Sequence, residues 1–402
     1  MSRCIQRVLL RSSRWQLPTR LEITSKRCHL APPAKTYSTS SGIPSTTYPS
    51  VFSGIQPTGV PHLGNYLGAL RQWVDLQSQA LTNPTHDPSS LIFSIVDLHA
   101  LTGHRSSALL AQHRKESFVS LLAIGLTPQH STLFLQSDVP HHASLHWILS
   151  TVASTGYLNR MTQWKSKLSL PDTATLTDST AIEKLRLGLF SYPVLQAADI
   201  LLYRPAVVPV GEDQAQHIEF ARTLARSFNS AYCEDGEPLF TPPEVQISEA
   251  RRIMSLRRPA QKMSKSDVDP KSRILITDSA EEIHAKVKGA VTDSEEGISY
   301  EPARRPGVAN LLDILRFVKR DERAPEMLAG EVQCLSKKDF KVLVADAVVE
   351  ELAPVRDRYL QLMAEGNAEV KEAYEGGLER ATRKAEETMK LVKERLGLVE
   401  WR

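Results

Sequence analysis

The sequence is short of cysteine and has no long hydrophobic run. Four cysteines lie far apart among 402 residues, at positions 4, 28, 233 and 334. Without a Cys-x-x-Cys spacing they predict neither a zinc site nor a disulfide framework, but unpaired thiols in a reducing compartment. No apolar run approaches the roughly 20 residues that span a bilayer, so we expect no membrane partner. At roughly 100–200 residues per domain, the length suggests two or three domains.

Acidic residues are nearly missing from the N-terminus. Residues 1–45 carry eight arginines and lysines but Glu22 as their only acid, which gives that segment a charge of +7 (8 − 1). The whole chain is +3, so the remainder is −4, and any nucleic-acid surface must be a local patch. An Arg-rich, Ser-rich and acid-poor leader is typical of a mitochondrial transit peptide, although a disordered basic tail has the same composition. We predict a transit peptide and linker over residues 1–48 and a location in the mitochondrial matrix.

From about residue 49 to 280, short apolar runs alternate with amphipathic stretches. This alternation predicts βαβ units around a parallel sheet. One helix is expected over Leu109–Ile124 and another from near Glu212. The predicted strands are Val51–Gly54, Leu91–Val96, Leu133–Gln136 and Ala206–Val210.

Beyond about residue 280 the pattern becomes helical. Apolar residues recur at helical spacing, most clearly from Phe340 to Leu362. The fold class is therefore α/β, with a parallel-sheet domain over 49–280 that contains a helical insertion at about 155–190, and an all-helical domain over 281–402. The predicted C-terminal helices are Ile283–Val291, Ala309–Val318, Lys338–Met363 and Ala368–Leu396.

The most informative stretch runs from Ser53 to Tyr66 and reads Ser-Gly-Ile-Gln-Pro-Thr-Gly-Val-Pro-His-Leu-Gly-Asn-Tyr. Glycine and proline force a turn after the strand, and a helix opens at His62. Free backbone N–H groups and the positive helix end then coincide, which suits phosphate. His62 and Asn65 share a helix face and can both donate hydrogen bonds, while Gly64 leaves room for a nucleotide. By composition alone, such a loop is as often structural.

A second candidate phosphate site is Lys262-Met-Ser-Lys-Ser266. Two lysines separated by small hydroxyl residues suit a mobile loop that closes over polyphosphate and neutralises charge on the leaving group. Alone, such a pentamer would be a solvated loop. Together with His62–Asn65, in this order, it predicts an ATP site.

These two strings resemble the signatures of the class I aminoacyl-tRNA synthetases, with the usual His-Ile-Gly-His present as His-Leu-Gly-Asn. The surrounding Ser-Gly-Ile-Gln-Pro-Thr-Gly is similar to the tryptophanyl members. The resemblance implies a Rossmann-type catalytic domain that uses ATP with Mg²⁺, without a resident metal site. It implies that His62, Asn65, Lys262 and Lys265 are catalytic. The implied ATP-binding residues are Gln56, Gly64, Asn65, Lys167, Gly211, Asp213, Gln214, Lys262, Met263, Ser264, Lys265 and Ser266.

The amino-acid pocket is expected around Asp199, a carboxylate in an apolar run that needs a partner when buried. In the tryptophanyl enzymes the matching acid accepts the indole N–H, and the residue that matches Tyr192 helps to hold the ammonium group. The tyrosyl enzymes also place Tyr, Gln and Asp at these intervals, so Gln196 leaves a tyrosine preference open. The implied tryptophan-binding residues are His99, Tyr192, Gln196, Asp199 and Gln214.

The resemblance further implies that the helical domain binds the anticodon of tRNA(Trp) and that the protein is a homodimer. The basic residues of the last helix have a simpler interpretation as a solvated face. Three alternatives remain: a tyrosyl ligase, a non-catalytic RNA-binding relative, and a small-molecule adenylyltransferase of the same superfamily.

Overall fold

The computed structural model describes residues 49–83, 86–103, 106–211, 214–234, 236–247 and 252–399. Its centre is a five-stranded parallel sheet in the order β3-β2-β1-β4-β5. The strands are β1 Val51–Ile55, β2 Leu91–Ile95, β3 Thr132–Leu135, β4 Val207–Val210 and β5 Glu244–Ile247. The four predicted strands are confirmed, and β5 is an addition.

Helices connect the strands and cover the sheet. Tyr66–Leu70, between the first two helices, is a π-helical turn. From the N-terminal side the helices are α1 Leu63–Asn65, α2 Arg71–Ala80, α3 Asp97–Ala100, α4 Ser107–Ala123, α5 His141–Ser150, α6 Thr155–Arg160, α7 Gln163–Lys167, α8 Ser179–Lys184, α9 Leu187–Tyr203 and α10 Ala215–Tyr232. The C-terminal region adds α11 Ala280–Lys288, α12 Pro306–Val318, α13 Pro325–Val332, α14 Lys337–Leu362 and α15 Ala368–Arg395.

The strand order contains a reversal that locates the site. The chain passes from β1 outward to β3, then returns to add β4 on the other side of β1. In open α/β sheets, ligands bind outside the carboxyl ends of the strands at such a reversal. The described ladder pairs β1 with β4 only at Val51 and Val207, whereas β1 and β2 pair along five residues. The reversal therefore opens into a crevice at the carboxyl ends.

The core extends across the predicted boundary at residue 280. One cluster of buried apolar side chains includes Phe93 of β2, Ile283 of α11 and Val348 of α14. The predicted apolar stripe of α14 is buried from Phe340 to Leu362. The helical region thus packs against the sheet layer, and the division into domains at 280 stays a prediction.

The last helix returns to the sheet and covers β3. Gly377 lies so close to the strand that an added β-carbon would stand 1.8 Å from the carbonyl oxygen of Leu133. Arg380 donates to the carbonyls of Pro128 and Ser131, and Lys384 donates to that of Ser89. These cations, which the sequence places on a solvated face, instead fasten α15 to the loops before β2 and β3.

Two expectations from composition can be compared with the described residues. None of the described helices is long and apolar enough to cross a membrane. Cys233 carries a free thiol, whereas Cys334 is disulfide-bonded, so the expectation of unpaired thiols is wrong at Cys334.

Candidate active site

A cavity of about 610 Å³ opens at the carboxyl ends of β1 and β4. Gly54 and Gln56 line it from the end of β1, and Gly211 and Gln214 from the end of β4. The sheet reversal therefore produces the cavity at the expected place. The predicted site residues that line it are Gln56, Asn65, His99, Lys167, Tyr192, Gln196, Asp199, Gly211 and Gln214.

Asp199 is the buried acceptor of this cavity. It lies on α9, its side chain is 2% exposed, and it accepts hydrogen bonds from His99 Nε2 at 2.8 Å and His142 Nδ1 at 2.7 Å. Gln136 Nε2 donates to it as well, at 2.6 Å. Burial alone raises the pKa of Asp199, but the hydrogen bonds from the two histidines outweigh it and bring that pKa below its usual range. The carboxyl group is therefore an anion that only accepts hydrogen bonds.

Tyr192 and Lys167 form another wall of the cavity. The Lys167 ammonium lies 4.3 Å from the centre of the Tyr192 ring, a cation–π contact. The Tyr192 hydroxyl donates to Gln163 Oε1 at 2.8 Å. Burial lowers the pKa of Lys167, because losing water disfavours the charged form.

Gln196 is held by polar neighbours within the same cavity. Its Oε1 lies 2.8 Å from His217 Nδ1, and its Nε2 donates to Gln214 Oε1 at 3.3 Å. His217 is fully buried. Gln196 is therefore fixed as part of the cavity wall, beside Gln214 rather than against Asp199.

A second cavity of about 690 Å³ lies next to the first, and Asn65 lines both. Its walls come from the loop after β1, from α4 and from the lysine loop. The predicted residues that it gathers are His62, Asn65, Ser264, Lys265 and Ser266. Arg273, which the sequence did not indicate, adds a further cation.

His62 and Asn65 cap α1 reciprocally. The Asn65 backbone N–H donates to His62 Nδ1, and the His62 backbone N–H donates to Asn65 Oδ1, each at 3.2 Å. Burial lowers the pKa of His62 to about 4, helped by the charges of Lys265 and Arg273. Because Nδ1 accepts, the neutral ring carries its proton on Nε2 and can donate it. This tautomer follows from the hydrogen-bond pattern.

Lys265 joins the lysine loop to the loop after β1. Its Nζ donates to the carbonyls of Thr58 and Gly59 and to the Thr58 hydroxyl, at 2.8–3.0 Å. Gly59 has φ of +83°, and a β-carbon there would stand 2.8 Å from Glu116 Oε2. Glycine at this turn thus keeps the backbone carbonyl within reach of the lysine.

Three predicted residues lie elsewhere, and a fourth is outside the described residues. Gly64 lines neither cavity, and a β-carbon on it would meet the His62 ring at 3.0 Å, so its small size makes room for the imidazole. Lys262 is exposed outside both cavities, and Met263 is buried in the core. Asp213 is outside the described residues, and the helix expected near Glu212 begins at Ala215.

The start of α1 is bonded through its backbone to the chain that follows Lys262–Ser266. Leu63 N–H donates to the Ile274 carbonyl at 2.8 Å, and Ile276 N–H donates to the Pro61 carbonyl at 3.1 Å. His62 and Leu275 form an antiparallel bridge between them. The start of α1 and the chain after the lysine loop therefore hold a fixed register.

Comparisons of the sequence with known proteins agree on one family. The model of the tRNA synthetases class I (W and Y) matches residues 45–353. The mitochondrial tryptophan–tRNA ligase of Schizosaccharomyces pombe is 47% identical over 309 residues, 76% of this chain and 83% of that protein. The Saccharomyces cerevisiae mitochondrial enzyme is 41% identical over 342 residues, 84% of this chain and 87% of its own. The chain belongs to the tryptophanyl branch of the class I tRNA synthetases.

Solved structures of the family share the fold over almost their whole length. The tryptophanyl-tRNA synthetase of Mycoplasma pneumoniae has a TM-score of 0.72 at 31% identity and covers 87% of this chain and 98% of its own. The Campylobacter jejuni enzyme, solved with ADP and tryptophan, has a TM-score of 0.67 at 30% identity and covers 87% and 99%. The α/β class with a Rossmann-type sheet and a helical C-terminal region is thereby confirmed.

Sequence reasoning missed the residues behind the cavity walls. Gln136, His142 and Tyr203 form the hydrogen-bonded support of Asp199, and His217 supports Gln196. One signal was available, since Gln136 directly follows β3, at the sheet edge where ligands bind. His142 and Tyr203 carry no comparable signal, because their contact depends on how α5 packs against α9.

Proposed function

We propose that the chain activates tryptophan with ATP and transfers it to tRNA(Trp) in the mitochondrial matrix. The observation that carries the proposal is that Asn65 lines both cavities. One cavity offers the anionic acceptor Asp199 for an indole N–H, and the other offers Lys265 and Arg273 for phosphates. An amino acid and a polyphosphate bound in them would meet at Asn65.

In the first step, a carboxylate oxygen of tryptophan forms a bond to the α-phosphorus of ATP. The bond from that phosphorus to the bridging oxygen breaks, and pyrophosphate leaves with the electron pair. The carboxylate is already ionised at neutral pH, so no general base is needed. The protein has to align the reactants and stabilise the negative charge that spreads over the phosphates.

The second cavity has the groups for this task. His62 donates a hydrogen bond from Nε2 without adding charge, while Lys265 supplies positive charge after it leaves the Thr58 and Gly59 carbonyls. Lys262 joins only when the lysine loop moves, since it is outside the cavity here. Mg²⁺ would enter with the ATP substrate and help to neutralise the charge on its phosphates.

The amino-acid side is assigned to the first cavity. Asp199 accepts the indole N–H, His99 lies beside it, and Tyr192 with Gln196 and Gln214 surrounds the ammonium group. Gln56, Gly64, Gly211 and Asp213 are assigned to the adenosine part, and Lys167, Ser264 and Ser266 to the phosphates. The roles of Gly64 and Asp213 rest on the resemblance alone, and the others rest on the resemblance and on the cavity linings.

In the second step, a hydroxyl oxygen of the terminal ribose of tRNA forms a bond to the adenylate's carbonyl carbon. The bond from that carbon to the phosphate oxygen breaks, AMP leaves with the electron pair, and the hydroxyl proton is released to water. We assign anticodon binding to the helical region 281–402 and a homodimer to the functional state, by analogy with the family. The basic leader over residues 1–48 supports import into mitochondria. A fluorescent protein that carries this leader and remains in the cytosol would contradict that location.

The test is amino-acid-dependent exchange of pyrophosphate into ATP, measured with a panel that includes tryptophan, tyrosine and phenylalanine. We expect exchange with tryptophan and at most a small fraction of that rate with the other two. Exchange with tyrosine alone would establish a tyrosyl ligase, which the position of Gln196 leaves as the rival. A folded protein without exchange activity would instead favour a non-catalytic RNA-binding relative.

A further inference from the structure

The carboxylate of Asp199 accepts three hydrogen bonds from the protein's own side chains before any substrate binds. An ionised carboxyl group offers about four lone-pair positions for hydrogen bonds. Gln136 and His142 occupy Oδ1, at 2.6 and 2.7 Å, and His99 occupies one position on Oδ2, at 2.8 Å. One acceptor position is left, and it belongs to Oδ2.

His142 is fixed from both sides. It is fully buried, and its Nε2 lies 3.0 Å from the Tyr203 hydroxyl. Since Nδ1 has to donate to the anionic Asp199, the other ring nitrogen, Nε2, is left to pair with the Tyr203 hydroxyl. The rings of Phe134 and Tyr203 pack against the imidazole at centroid distances of 5.7 and 5.5 Å. The His142 ring, which donates to Oδ1 of Asp199, is therefore held in one orientation.

Gln136 is fixed in the same manner. Its Oε1 accepts the backbone N–H of Leu98 at 3.0 Å, which defines which end of the amide is the oxygen. The amide nitrogen is thus the end that faces Asp199. Gln136 is fully buried, and neither it nor His142 lines the cavity, whereas His99 and Asp199 do.

We propose that Gln136 and His142 are positioning residues that saturate Oδ1 of Asp199 and leave a single acceptor position, on Oδ2, for the substrate side chain. A side chain with one ring N–H donor satisfies that position, and an isosteric side chain without a donor leaves it unpaired in a buried site. An unpaired buried polar group is costly, so the arrangement rejects substrates that lack the donor. This inference rests on the proposed function and names how its specificity is set.

The test compares tryptophan with 3-(benzothiophen-3-yl)alanine, in which sulfur replaces the ring N–H. The readout is the ratio of kcat/KM values in pyrophosphate exchange. His142→Gln removes the donor next to Asp199, whereas His142→Asn keeps an N–H at the place of Nδ1. We expect His142→Gln to lower the ratio by roughly 10-fold or more through the KM for the amino acid, and His142→Asn to restore it to within about 3-fold of wild type. The KM for ATP should stay the same in both.

The matched control is His141→Gln, a substitution at the neighbouring histidine of α5, which makes no hydrogen bond to Asp199. It should keep the wild-type ratio. Circular dichroism shows whether His142→Gln folds. If it does not, Gln136→Met, which removes the other donor to Oδ1, tests the same inference independently. A wild-type ratio in His142→Gln or in Gln136→Met overturns the inference. Wild-type protein without tryptophan-dependent exchange would instead overturn the proposed function itself.

Discussion

At the scale of single residues, His62 combines burial with two neighbouring cations at the cavity that we assign to phosphate. Burial removes the water that would solvate a charged imidazole, and the positive charges of Lys265 and Arg273 repel it. The ring is therefore kept neutral. The neutral ring still donates from Nε2, so it adds a hydrogen bond without repulsion. The positive charge of the cavity is left to the lysine and the arginine.

The lowered pKa of His62 predicts a dependence of stability on pH. The pKa is about 4 in the folded protein and 6.5 ordinarily, so the unfolded chain binds a proton that the folded chain does not between these values. The free energy of unfolding therefore rises with pH across this interval, by up to about 3 kcal/mol, and this contribution is lost as pH falls towards 4. We expect His62→Asn to flatten that slope in urea unfolding, and an unchanged slope would refute the assigned origin.

Replacement of Lys265 should change kcat rather than the KM for tryptophan. If Lys265 stabilises the leaving pyrophosphate, as we propose, replacing it with methionine should lower kcat roughly 100- to 1,000-fold and change the KM for tryptophan little. Steady-state pyrophosphate exchange measures both constants. The exposed Lys271, a few residues further on, is the matched control, and Lys271→Met should behave as wild type. Equal losses in kcat and in tryptophan affinity would contradict a role confined to the transition state.

Many residues that line the two cavities could be named from the sequence because the signatures that contain them are local strings. A helix start such as His62-Leu-Gly-Asn65 and a lysine loop each occupy consecutive positions, so their chemistry can be read before folding. Asp199 was found for the same reason, as a carboxylate in an apolar run. Gln136, His142 and Tyr203 could not be assigned, because their shared function exists only after three elements have packed together.

At the scale of elements, α15 packs unusually close to β3. Gly377→Ala would force the helix away from the Leu133 carbonyl, where the β-carbon would stand 1.8 Å from the oxygen. We expect a loss of about 1–3 kcal/mol in the free energy of unfolding, the usual cost of overpacking. Urea denaturation measures it.

The preceding residue gives a matched control. Gly376 is in the same helix, and an added β-carbon would meet only the Arg380 guanidinium at 3.4 Å. Because alanine favours a helix over glycine, Gly376→Ala should stabilise the protein by about 0.5–1 kcal/mol. Opposite signs for the two substitutions would support the close packing, and equal signs would refute it.

Elements were predicted well where their patterns were long or strongly apolar. Strand β2, fully buried, and helix α14 with its apolar stripe are clear examples. Strand β5 was missed because its four residues alternate polar and apolar within a proline-rich segment that also fits a loop. Helix α9 contains Pro193 and is apolar around most of its surface, so no single stripe distinguishes it.

At the scale of the molecule, sheet and C-terminal helices share a core. Because buried side chains of β2, α11 and α14 belong to one cluster, removal of the helical region would expose part of the sheet's packing. We expect a single cooperative urea transition, with coincident curves from tryptophan fluorescence and far-UV circular dichroism. A truncation after residue 280 should not yield a stable folded protein. Two separate transitions would show that the predicted domains unfold independently.

The backbone hydrogen bonds that join Pro61 and Leu63 to Ile276 and Ile274 affect which insertions and deletions the sequence can tolerate during evolution. Roughly half of the sequence lies between these two short segments, yet their alignment does not depend on its length. Insertions and deletions in the intervening loops can therefore accumulate without shifting these two segments relative to each other. A shift of one residue within either short segment would do so at once.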